Sequence, residues 1–231
     1  MPVAQLLIAD DMSKWLLLIP TKFEKKQIQA ALDDLSGQAA NASSIDLTVE
    51  TCGFGPVVSA AQTTRLLIQH KPDQVLLLGI AGSLDEGLKV GAAYRFSSVG
   101  CHGVGVGEGD QFQTSEQMGW KQSINSVPIE NPIQLSGAQE TRQLLTVCAA
   151  SENTTQAQIK RKLFPDAVAE DMEGYSVALA CQIQGVKLII VRGVSNAAGV
   201  RDKSKWQVAP AMKAAFELSR QIILKEENGA T

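Results

Sequence analysis

The chain has 231 residues, with 21 Lys and Arg against 24 Asp and Glu and a formal net charge of -3. With 45% apolar and 19% charged residues it has material for a large core, which excludes a disordered chain. The acid excess and the lack of basic blocks exclude a dedicated binder of nucleic-acid phosphates.

Along the chain, apolar runs alternate with amphipathic stretches. Residues 1–11 are set apart as an N-terminal arm, with 12–231 as one domain. Trp15–Pro20 reads as a buried strand. Phe23–Leu35 reads as a helix with Phe23, Ile28, Leu32 and Leu35 facing inward. Ile45–Thr51 alternates as a strand does, and Val57–His70 is helical with Pro56 in its first turn. Asp73–Ile80 is a second buried strand. Gly79 to Gly109 is glycine-rich with short β-prone pieces, which predicts hairpins or a curved sheet edge. Residues 100–137, rich in Gly, Ser, Pro and Asn, predict a long, functionally shaped excursion. Met172–Ile183 is helical, Val186–Val191 a buried strand, and Ala209–Leu224 a closing helix. Strands alternating with helices predict a parallel or mixed sheet covered on both faces.

Several function classes fall away. The longest apolar stretches, Trp15–Ile19 and Val75–Ala81, fall far short of the ~20 residues of a bilayer span, so no membrane contact is expected. The N-terminus lacks the basic start of a signal peptide. Cys52, Cys101, Cys148 and Cys181 are scattered with no CxxC pair, the pattern of reduced, buried thiols in a cytoplasmic protein. His70 and His102 are the only histidines, which disfavours zinc and Ser-His-Asp chemistry. His70 is expected to meet free carbonyls at a helix end.

Five segments carry candidate chemistry. Glu24 follows the first strand, at the carboxyl end where α/β sheets collect ligands, and a carboxylate there can activate a water. Its ordinary reading is an acid in a helix's first turn. Gly79-Ile80-Ala81-Gly82-Ser83 ends a buried strand with small residues that let backbone approach a ligand, though it is neither a Walker loop nor GxGxxG. Glu170-Asp171-Met172-Glu173-Gly174 places three acids around a methionine at the start of an apolar helix. A carboxylate beside Met suits a ribose, whose vicinal hydroxyls donate to the acid while the thioether packs on the sugar. Arg192-Gly193-Val194-Ser195-Asn196 ends the last buried strand with an amide able to donate to or accept from a heterocycle edge. Arg201-Asp202-Lys203-Ser204-Lys205-Trp206 reads as a solvated turn or as a cationic, aromatic wall; the lysines favour the former.

In order, these segments resemble the nucleoside phosphorylase and nucleosidase superfamily. The resemblance is carried by Cys52 to Ala61, by Leu76 to Ser83 with its strand and GxAG turn, by Phe164 to Gly174 with its ribose motif, and by Arg192 to Asn196. It implies an α/β protein: a three-layer α/β/α sandwich around a mixed, barrel-like central sheet, assembled as a homo-oligomer. It further implies cleavage of a nucleoside at ribose C1′ without metal or organic cofactor. Phosphorylases of the superfamily hold phosphate with arginines near the first strand and before the glycine turn. Here those places read Ile19-Pro20-Thr21-Lys22 and Leu76-Leu77-Leu78, which favours water as nucleophile.

By the same resemblance Glu24 and Asn196 are the catalytic candidates. Ala81, Gly82, Asp171, Met172, Glu173, Ser195, Arg201 and Trp206 are the substrate-binding ones. Related enzymes acting on 6-aminopurines carry Asp where this chain has Asn196; an amide suits a 6-oxopurine. The run from Ser195 to Trp206 is similar to futalosine hydrolases of menaquinone biosynthesis, which remove hypoxanthine from a nucleoside bearing a carboxyphenyl ketone. On that likeness Trp206 packs on the aryl ring, with Arg201 or Lys205 at the carboxylate. Methylthioadenosine/adenosylhomocysteine nucleosidase and purine nucleoside phosphorylase are the alternatives. Departures are Asp171, where the family often has Glu or Asn, and small residues at Ala150-Ser151, where relatives cap the base with bulkier ones.

Overall fold

The structure is a computed structural model that describes residues 12–41, 45–124, 126–137 and 140–228; the expected arm, 1–11, lies outside them. In chain order the first elements are β1 (Ser13–Ile19), α1 (Lys22–Gln27), α2 (Gln29–Asn41), β2 (Ile45–Thr51), α3 (Pro56–His70), β3 (Gln74–Ser83), β4 (Ala93–Phe96) and β5 (Ser98–His102). Short pieces follow: β6 (Gly105–Val106), β7 (Gln113–Thr114), β8 (Ser123–Ile124), β9 (Val127–Pro128) and β10 (Ile133–Gln134). The chain then continues with β11 (Gln143–Val147), α4 (Thr154–Leu163), β12 (Ala167–Asp171), α5 (Gly174–Gln184), β13 (Lys187–Ala197) and α6 (Val208–Asn228).

One nine-stranded mixed sheet runs β10-β5-β11-β12-β3-β1-β2, and it branches where β13 pairs with both β3 and β4. Alternate residues of its central strands feed two cores. Leu16, Leu18, Val75, Leu77, Leu188 and Ile190 pack with Leu66 and Leu67 of α3 and Val177, Ala178 and Cys181 of α5. Trp15, Leu17, Leu76, Leu78, Ile189 and Val191 pack on the other face with Leu32 and Leu35 of α2 and Met212, Ala215 and Phe216 of α6. Side chains of this kind contribute about 1.5–3 kcal/mol each when fully buried, and their two-sided distribution makes the three layers.

Several expectations need correction. The helix expected over Phe23–Leu35 is two helices broken at Ile28, and Phe23 is exposed rather than inward. Ile28, Leu32 and Leu35 are buried as expected. Glu170 and Asp171 end strand β12 instead of starting a helix, while Glu173 is the residue that caps α5. β13 is longer than its apolar part and runs through the glycine and polar residues to Ala197. All four cysteines are free, but Cys148 is exposed and Cys101 only half-buried. His70 sits 3.5 Å from the Glu50 carboxylate on β2. Among the described residues, no helix is long and apolar enough to cross a membrane.

Candidate active site

A gap in the sheet makes the site. β1 accompanies the first half of β3, with Trp15–Leu18 beside Gln74–Leu77. β12 approaches the other end of β3 from the opposite direction, with Ala169 and Glu170 against Ser83 and Gly82. Between those pairings, Leu78 to Ala81 have no strand neighbour on that edge among the described residues. The gap opens into a cavity of about 350 Å³, the size of a small-molecule site. The chain leaving β1 brings Glu24 to it, and the chain leaving β12 brings Glu173.

Glu24 is 5% exposed. Thr21 caps α1 by accepting the Glu24 N–H at 3.1 Å, and its hydroxyl donates to Glu24 Oε2 at 2.6 Å. The Thr-x-x-Glu spacing is that of a capping box, but here the carboxylate turns to the sheet. Its Oε1 accepts the N–H of Ile80 at 3.1 Å, a backbone donor that the gap leaves without a strand partner. The helix cap and the broken edge together fix the carboxylate.

Glu173 is held from two other elements, α3 and β13. Its Oε1 accepts the N–H of Gly55 at 3.0 Å, at the start of α3. Gly55 adopts φ 81°, where glycine alone is unstrained. Oε2 lies 3.4 Å from Nη2 of Arg192, which also pairs with Asp171 Oδ2 at 2.5 Å. Burial, only partly offset by Arg192 and reinforced by Asp171 and Glu24, pushes the Glu173 carboxyl up to about 7. Asp171 lines the cavity, but its oxygens are committed to the Thr146 hydroxyl, the Gly174 N–H and Arg192.

Arg192 is the residue that the sequence reading passed over. It is wholly buried in the middle of β13, and a charge inside an apolar strand is the signal that partners must exist. Burial alone would lower its pKa, but Asp171, Glu173 and Glu24 raise it. Its Nε and Nη1 have no hydrogen-bond partner among the described residues. Nη1 and Glu24 Oε1 both crowd the point where a side chain on Gly79 would begin. A glycine at that position makes the room in which the guanidinium and the carboxylate approach each other.

Asn196 is reached through a bulge. The β13–β3 register shifts between Val194 and Asn196, so Ser195 and Asn196 both line the cavity, where regular alternation would turn one away. Asn196 Oδ1 accepts the Ser195 hydroxyl at 2.7 Å, and Nδ2 donates to Ala197 O at 2.8 Å, leaving a second N–H for a ligand. Ala150 and Ser151 form the facing wall. At the mouth, the Arg201 guanidinium stacks 5.2 Å over Trp206, whose indole N–H donates to Val200 O.

Glu24, Ala81, Gly82, Asp171, Met172, Glu173, Ser195, Asn196, Arg201 and Trp206 all line this one cavity. It also takes in Thr21, Phe23, Phe54, Glu170 and Lys203, which sequence reasoning did not assign. Lys203 rather than Lys205 reaches the mouth, and Lys22 is exposed away from it. No described residue of 100–137 lines the cavity. His102 packs instead on Phe112 and Phe164.

Known proteins are similar to this chain in sequence and in fold. A futalosine hydrolase of Streptomyces coelicolor is 29% identical over 171 residues, 70% of this chain and 72% of that protein. A 5′-methylthioadenosine/S-adenosylhomocysteine nucleosidase of Staphylococcus aureus is 28% identical over 182 residues, 77% of this chain and 79% of that protein. The solved futalosine hydrolase of Helicobacter pylori superposes with a TM-score of 0.70 at 19% identity, covering 91% of this chain and 97% of that one. The family model of the Phosphorylase superfamily matches residues 42–225. The chain therefore belongs to the Phosphorylase superfamily, a family of enzymes.

Proposed function

We propose that the protein is a purine nucleosidase that hydrolyses the N-glycosidic bond, with futalosine as substrate and hypoxanthine as leaving base. The observation that carries this reading is the charge of the cavity's inner end. Glu24, Asp171 and Glu173 surround the one buried guanidinium, Arg192, whose Nη2 already pairs with Asp171 and Glu173, so a phosphate dianion would meet three carboxyl groups against one cation. Lys22, which stands where a phosphate-binding cation would be needed, does not line the cavity. A neutral water meets no such repulsion.

In this mechanism the ribose lies over Met172, and Glu173 accepts from the 2′ and 3′ hydroxyls. Loss of the base leaves an oxocarbenium-like C1′. Glu24, which lines the cavity, takes the proton of the attacking water as general base, an effect of about 10²–10⁴-fold. The free N–H of Asn196 stabilises the departing base at O6 or N7, and a solvent molecule supplies the N7 proton. Trp206, Arg201 and Lys203 at the mouth suit an aryl carboxylate beyond C5′. The 28% identity to the Staphylococcus aureus nucleosidase favours methylthioadenosine/adenosylhomocysteine as the second reading. The family resemblance adds a homo-oligomer, and the scattered cysteines without a CxxC pair add a cytoplasmic location.

Purified protein is incubated with futalosine, methylthioadenosine and inosine, and released base is measured. Hypoxanthine from futalosine as the fastest release supports the assignment. Adenine from methylthioadenosine as the fastest release selects the second reading, and no release from any of them overturns both.

A further inference from the structure

We infer that Glu170 is the residue that selects the base: its carboxylate accepts the N1–H of a 6-oxopurine while Asn196 donates to the O6/N7 edge. The inference rests on the nucleosidase reading above and names the base class that the same site takes.

The sheet places the two residues as a pair. Glu170 on β12 lies opposite Gly82 of β3, and Asn196 on β13 lies opposite the same Gly82 from the other side. They are thus two strand spacings apart, about 9–10 Å, with Ala198 packed over the Gly82 between them. Both line the cavity.

Glu170 is 5% exposed and bound on its outer side. Its Oε1 accepts the Ser151 N–H at 2.8 Å, and its Oε2 accepts the Ser151 hydroxyl at 2.8 Å and Lys160 Nζ at 2.9 Å. Lys160 also donates to Ala149 O at 2.8 Å, tying α4 to the same wall. An ionised carboxylate offers about four acceptor positions. Three are taken, and the fourth, on Oε1, has no partner among the described residues.

The clamp also removes the competing recognition. Both donors of Ser151 are spent on Glu170, so Ser151 presents no donor to the base, and a carboxylate stands beside it. A 6-oxopurine carries N1–H there and is attracted. A 6-aminopurine carries a bare N1 lone pair there and is repelled, with a buried acceptor left unpaired.

The test titrates the wild-type protein with hypoxanthine, adenine and 1-methylhypoxanthine, which lacks the N1–H, and repeats hypoxanthine and adenine on Glu170→Gln. The wild type is expected to bind hypoxanthine at least about 10-fold tighter than either other base. Glu170→Gln is expected to lose that preference by weakening hypoxanthine alone. The wild-type comparison does not depend on how well the variant folds. Comparable binding of all three bases, or an equal loss for both bases in the variant, overturns the inference and leaves the nucleosidase reading standing. Binding of no base by the wild type overturns the two together.

Discussion

Glu24 and Glu173 face the same cavity in different company, and the difference assigns their work. Among the described residues Glu24 accepts one hydroxyl and one backbone N–H, beside a guanidinium nitrogen that has no hydrogen-bond partner there. Glu24→Gln keeps the shape but removes the base, so turnover should fall by about 10²–10⁴-fold while hypoxanthine still binds. Full activity in the variant would show that another group activates the water. Glu173 shares Arg192 with Asp171 and has the worse share, at 3.4 Å against 2.5 Å. With its carboxyl raised to about 7 by burial, kcat/KM should climb as pH rises through neutrality, because the ionised form accepts both ribose hydroxyls. The same shift has the opposite sign for stability. The folded state binds the extra proton between the ordinary carboxyl pKa and about 7, so stability falls as pH rises through that window. Glu173→Gln should remove both dependences; a kcat/KM limb that survives in that variant would belong to another group.

At the scale of elements, the site exists because two strands abut one edge of β3 from opposite directions and leave Ile80 uncovered. Gly79→Ala tests that geometry, since a methyl group there meets Arg192 and Glu24. Overpacking of this kind costs about 1–3 kcal/mol, and a lowered Tm together with lost turnover is expected. Unchanged stability would mean that the guanidinium is not confined as described. The apolar strands β1 and β3 and the helices α3 and α6 were legible in the sequence, because continuous apolar runs and 3.6-residue periodicity need no tertiary information. The patterning predicts nothing for β11 and α4. β12 ends in acids that read as the start of a helix, and β13 runs past its apolar part, Val186–Val191, into glycine and polar residues. Long-range pairing turned those polar residues inward, and only a partner strand reveals it. The carboxylates, Met172 and Asn196 were legible as chemistry beside strand ends. Arg192 and Glu170 were not singled out, because their meaning lies in ion pairs with residues of other elements.

For the whole molecule, two cores on opposite faces of one sheet leave the branch point at β3 as the place where a cavity fits, and carboxylates dominate its inner end. An assembly of several copies is expected from the family resemblance; light scattering should give a multiple of the single-chain mass, and a monomer would contradict it. In the proposed mechanism this charge distribution favours water over phosphate as the nucleophile. The most direct measurement is the identity of the sugar product when the wild-type enzyme cleaves its nucleoside at saturating phosphate. A free sugar, formed at the rate seen in phosphate-free buffer, is the predicted result. A sugar 1-phosphate, or a rate that rises with phosphate, would contradict water as the nucleophile.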